Sequence, residues 1–114
     1  MSEIKENEYI RTNNGSIQKV LEIQPYYEND TNMSEYDYIS TEIFKQWKRY
    51  QLEDIVKKHS PNIIDLIEVG DYVNGSRVIA NEKGVVWTIE DDFELEHIKT
   101  IVTKEQFKGS EYIV

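Results

Sequence analysis

Ile63-Ile64-Asp65-Leu66-Ile67-Glu68-Val69-Gly70-Asp71-Tyr72-Val73-Asn74-Gly75 is the stretch on which the reading of this chain turns. Ser60-Pro61, a capping residue and a first-turn proline, stands just before it, so residues 62–67 are expected to form a short α or 3₁₀ turn. Glu68 to Val73 then reads as a strand. It reverses at Asn74-Gly75, a dipeptide suited to a two-residue hairpin because both positions tolerate positive φ. Arg77 to Asn81 leads into a second reversal at Lys83-Gly84, and Val85 to Ile89 carries Trp87. These are the alternations of a meander, and none of them carries catalytic chemistry.

Toward the N-terminus, Glu8 to Thr12 and an apolar segment with Ile17, Val20, Leu21 and Ile23 flank Asn13-Asn14-Gly15-Ser16, a second hairpin signal. Pro25 ends that hairpin, and Tyr26 to Ser34 reads as a polar loop. Tyr36, Tyr38 and Thr41 suggest a third strand. From Glu42 to Lys58, the residues Ile43, Phe44, Trp47, Tyr50, Ile55 and Val56 fall near helical spacing, with Ser40 or Thr41 as a cap. Helix is expected over the first half, while Leu52 to Lys57 is compatible with a strand. Thr103-x-x-Gln106 is a capping-box pattern that would open one helical turn and hold Phe107 on the core. Gly109 would end that turn, and Glu111 to Val114 would close the sheet. The fold class expected is mainly β with one or two short helices, α+β: a small SH3-like barrel or a strongly bent antiparallel sheet. One domain of residues 1–114 is expected, with Trp47, Trp87, Ile64, Val69, Val86 and Ile101 in its core.

Composition removes several function classes. The chain has no cysteine, so disulfide scaffolds, thiolate nucleophiles and cysteine-based metal sites are excluded. His59 and His97 lack partners at metal-ligand spacing, and the acidic run near residue 91 lacks the pattern of a calcium loop. Neither a phosphate-cradling glycine loop nor a nucleophile elbow occurs. No enzyme activity, no metal and no cofactor are expected. A charged N-terminus and the lack of a bilayer-length apolar run point to a cytoplasmic protein with no membrane contact.

With 22 acidic residues against 13 basic ones, the net charge is -9, which argues against direct nucleic-acid binding and toward a basic partner. The charge is also unevenly placed. Between Glu22 and Glu42 no lysine or arginine interrupts the acids, and none interrupts Glu90 to Glu96. The candidate partner-binding residues are therefore Asp30, Glu35, Tyr36, Asp37, Tyr38, Asp91, Asp92, Phe93, Glu94 and Glu96. Carboxylates at phosphate-like intervals beside flat aromatic rings suit a basic groove that otherwise holds a nucleic acid.

The segments Glu8–Thr12, Ile55–Ser60, Ile63–Gly75 and Ile98–Phe107, in this order, resemble a group of small proteins of phages and prophages of Gram-positive bacteria. The resemblance implies variable insertions at about residues 24–51 and 90–97, where the acidic and aromatic residues concentrate. It implies no catalytic residue. A common scaffold with variable insertions fits a binding module, and small acidic phage proteins resemble host-defence inhibitors. The expectation is an anti-CRISPR protein in the host cytoplasm that occupies the DNA groove of an RNA-guided nuclease. The alternatives are a sponge for a nucleotide immune signal and a regulator of host machinery. The sponge would need convergent arginine or lysine to hold phosphate, and Arg11, Arg49 and Arg77 are the only arginines available.

Overall fold

The computed structural model describes residues 3–25, 27–28, 31–32 and 34–110. Asp30, Tyr26 and the expected last strand at residues 111–114 lie outside them. The described chain is mainly β, with two short helices and a strongly curled antiparallel arrangement, a half-barrel. Of the two architectures expected, the bent sheet is the one formed.

The first half of the curl is a five-stranded sheet. Strands β1 (Tyr9–Thr12) and β2 (Ile17–Gln24) form the expected hairpin. Only Gly15 in its turn takes positive φ, at 88°. Gly15 N–H donates to Thr12 O and Thr12 N–H to Ser16 O, so the connection is a three-residue loop rather than a tight two-residue one. Two-residue strands β3 (Tyr27–Glu28) and β4 (Thr31–Asn32) pair with each other. A 3₁₀ turn at Ser34–Tyr36 leads into β5 (Tyr38–Thr41), and β6 (Trp47–Lys48) pairs with β5. Helix α1 (Arg49–Ile55) runs directly into β7 (Val56–Ser60), which pairs with β1. The order across the sheet is β6-β5-β2-β1-β7.

The helix expected over the first half of residues 42–58 therefore sits later. Thr41 Oγ1 accepts from the backbone N–H of Phe44 at 2.9 Å, which caps an isolated turn, and Gln46 adopts a φ of 56° that breaks any helix there. Helix becomes favourable at Arg49, whose guanidinium reaches inward to Ile4 O at 2.7 Å.

The second half begins with a 3₁₀ turn at Ile63–Leu66, started by Asn62, whose side chain accepts from Ile64 N–H. The strand expected from Glu68 is confined to β8 (Tyr72–Val73), because Gly70, at φ 98°, folds Glu68 to Asp71 into a turn. Strands β9 (Ser76–Glu82), β10 (Val85–Thr88) and β11 (Asp92–Glu94) follow as the expected meander. Asn74-Gly75 and Lys83-Gly84 take positive φ at both positions, the signature of the hairpin turn read from the sequence. After a 3₁₀ turn at Leu95–His97, β12 (Ile101–Val102) pairs with β8, and α2 (Lys104–Ser110) follows. This sheet runs β11-β10-β9-β8-β12.

Each half has its own apolar core. Ile4, Ile10, Val20, Ile39, Leu52 and Val56 pack in the first, with Phe44 and Trp47 partly buried against them. Ile64, Ile67, Val73, Val78 and Val86 form the second, with Phe93, Ile98 and Ile101 at its margin. Two expected core residues are displaced: Val69 lies on the exposed turn before Gly70, and Trp87 points outward from β10. Phe107 is also largely exposed and stacks on Tyr72, with ring centroids 4.8 Å apart, rather than entering the core.

Candidate functional site: an exposed acidic strand edge

Two groups of carboxylates stand out among the described residues. One is spent inside. Arg11, fully buried on β1, donates to both oxygens of the fully buried Asp71 at 2.5 and 2.9 Å, to Glu105 Oε2 at 2.6 Å and to Leu66 O at 2.8 Å. Asp71 also accepts from Glu68 N–H and from Lys104 N–H at the start of α2. Glu68 in turn receives Lys104, Lys57 and Lys58 at 2.7, 2.9 and 3.1 Å. Burial pushes the Glu68 carboxyl up, but hydrogen bonds from the three lysines and the Arg11 charge overcome it and hold the group at about 2. Glu105 shifts downward for the same reasons, against its own burial and helped by its backbone N–H, Arg11 and Lys57. This network ties β1 of the first sheet to the second sheet and α2. It is a structural lock.

Asp37 belongs with that internal population. It is buried, and its carboxylate lies 3.3 Å from the buried Arg49 guanidinium. Its neighbours Tyr36 and Tyr38 are half-buried: Tyr36 packs edge-on to Tyr50 at 5.7 Å beneath Lys48 Nζ at 5.8 Å. Glu35 is exposed, and Asp30 lies outside the described residues. The candidate residues around position 36 thus mostly pack the far edge of the first sheet.

The second population is different. Glu90, Asp91, Asp92, Glu94 and Glu96 are all exposed, and among the described residues none of them meets a lysine or arginine. Glu96 approaches only His97, at 3.8 Å. Strand β11 is the edge of the second sheet, and Phe93, opposite Val86, turns inward to anchor it. Thr88 sets the preceding bend: its hydroxyl donates to Asp91 O at 2.6 Å and accepts from the N–H groups of Asp91 and Glu90. An open depression of about 470 Å³ lies between the Lys83-Gly84 turn and Glu94–Glu96.

Sequence reading missed two participants here. Trp87 was expected inside, yet Val86 and Thr88 are buried, and successive strand residues point to opposite faces. That alternation was available: Val86 and Trp87 cannot both face the core. Thr88, as the residue that shapes the acidic bend, left no signal beyond being a threonine beside a turn.

Among the described residues no group of three His, Asp or Glu side chains is disposed to hold a metal ion. His59 pairs with Glu8 at 3.0 Å, and His97 is exposed. No helix of the described residues is long and apolar enough to cross a membrane. Comparison of the chain with protein-family models, curated proteins and solved structures finds no match.

Proposed function

We propose that this chain is a non-enzymatic binding protein whose acidic edge, Glu90 to Glu96, occupies a basic groove on a nucleic-acid-handling protein. The single observation that carries the reading is a contrast: inward carboxylates are paired with Arg11, Arg49 and the three lysines, whereas those of the β11 edge face solvent and, among the described residues, meet no lysine or arginine. Like charges at this spacing repel one another and lower stability, so a partner that supplies lysine and arginine gains from neutralising them. The resemblance to phage proteins makes a host-defence nuclease in the host cytoplasm the first partner to test, and an RNA-guided nuclease of a CRISPR system the most concrete one.

The nucleotide sponge is disfavoured by the fate of its arginines. Arg11 and Arg49 are buried and engaged by carboxylates and backbone carbonyls, which leaves Arg77 as the exposed one.

The test pairs the wild-type chain with an Asp91→Lys/Asp92→Lys/Glu94→Lys variant, each used with a purified RNA-guided nuclease of a Gram-positive host. The wild type is expected to block target-DNA binding at low salt and to lose most of that effect as salt rises. The variant is expected to fold with an unchanged or higher melting temperature and not to block. A nuclease that binds its DNA equally well with and without the wild-type chain sinks the CRISPR reading. Equal inhibition by the variant sinks the role of the acidic edge.

A further inference from the structure

The outer face of the second sheet carries an apolar patch beside the acidic edge. Trp87 is 47% exposed, Ile79 on the neighbouring strand 54% and Ile89 just beyond the strand end 66%. Trp87 and Asp92 are directly opposed across β10 and β11, so the indole and the carboxylate stand on one face with Cβ atoms roughly 5 Å apart. Glu94, two residues on and opposite Val85, adds a second carboxylate to that face. Among the described residues no cation lies over the Trp87 ring, and neither Asp92 nor Glu94 is in an ion pair.

A flat indole flanked by carboxylates is chemically selective between the two basic side chains. A guanidinium is planar and weakly hydrated. It can stack on the ring while its N–H fork meets a carboxylate, whereas an ammonium is a strongly hydrated point charge that gains less from the ring. We propose that Trp87, Asp92 and Glu94 form a receptor for an arginine side chain presented by a basic segment of the partner. The proposal rests on the binding reading above and specifies its recognition chemistry. A second copy of this chain is the poorer occupant, because it would bring the same uncompensated carboxylates against one another at a net charge of -9 per chain.

The test uses a Trp47→Phe background, in which Trp87 is the single tryptophan, titrated with two otherwise identical peptides that alternate serine with three arginines or three lysines. At low salt the arginine peptide is expected to perturb Trp87 emission and to bind about threefold to fivefold more tightly than the lysine peptide. Trp87→Leu and Asp92→Asn are each expected to erase that preference while weak, salt-sensitive binding persists through the remaining carboxylates. Equal affinity for the two peptides, or a preference that survives Trp87→Leu, overturns the arginine receptor and leaves the groove-binding reading to its own nuclease test. Sedimentation that shows a dimer whose dissociation alters Trp87 emission also overturns it, in favour of self-association. If neither peptide binds and the nuclease is not inhibited, both proposals fall.

Discussion

At the scale of single residues, Glu68 and Gly15 make the sharpest predictions. Glu68 is held at about 2 against an ordinary 4.5, so its ionised form stabilises the folded state. That contribution is complete above about pH 4.5 and is lost as the pH falls from there toward 2. Urea unfolding across this range should show wild-type stability falling by about 2 kcal/mol more than that of Glu68→Gln, whose side chain does not titrate. An identical acid limb for the two proteins would show that Glu68 is not what the lysines hold. Gly15 adopts a φ of 88°, and an added Cβ would lie 2.2 Å from Thr103 Oγ1 and 2.9 Å from Glu105 Cβ. Gly75 has φ 81° but open space around it. Gly15→Ala should therefore lower the melting temperature clearly more than Gly75→Ala, which suffers only the backbone strain of about 1 kcal/mol.

At the scale of elements, the chain builds much of its architecture by fastening loops with single polar side chains. Asn74 is the clearest case: its amide donates to His97 O at 2.8 Å and its oxygen accepts from Lys99 and Thr100 N–H at 2.7 and 3.1 Å. The residue that permits the hairpin turn thus also positions the segment that becomes β12. Asn74→Gly keeps the turn conformation but removes the clamp. It should destabilise by about 1–3 kcal/mol and speed amide exchange at Lys99 and Thr100 while leaving β1 and β2 unchanged. Asn81 plays a similar part, donating to Ile64 O and Ile67 O and so holding the 3₁₀ turn against β9.

At the scale of the molecule, two modest cores are joined by a buried ionic lock centred on Arg11 and Asp71. Removing Asp71 takes the bidentate partner from the buried Arg11, which keeps only Glu105 and Leu66 O as acceptors, and leaves the Glu68 and Lys104 N–H groups without their acceptor, so Asp71→Ala should cost about 3–5 kcal/mol. The lock also makes a prediction about cooperativity. Trp47 reports on the first half and Trp87 on the second, so single-tryptophan variants with either ring replaced by phenylalanine can follow the halves separately. Their urea transitions should coincide in the otherwise wild-type chain and separate when Asp71 is replaced by alanine. Coincident transitions in the Asp71→Ala background would mean that apolar contacts alone couple the two halves.

Local signals carried a good part of this fold. Asn74, Gly75 and Gly84 take the positive-φ conformations their residue types favour, Lys83 is carried into the same region by the turn, and the strands these reversals connect follow from alternation over residues 76–88. The acidic run from Glu90 to Glu96 was visible because charge is a property of sequence. Which acids would be free was not. Asp37 and Asp71 look like surface residues in the chain, and only folding brings Arg49 and Arg11 to them, the latter across 60 positions. Residues 42–58 misled for a similar reason: their apolar spacing suits a helix, but pairing of Trp47 with Ile39 and burial of Arg49 on Ile4 O select a strand first and a helix after it. The sequence by itself determined the reversals, the β-rich class and the excess of negative charge, because each depends on neighbours along the chain. The tertiary structure decided which carboxylates are spent on internal cations and that Trp87 faces outward beside Asp92, because ion pairing and strand register join residues that the chain keeps apart.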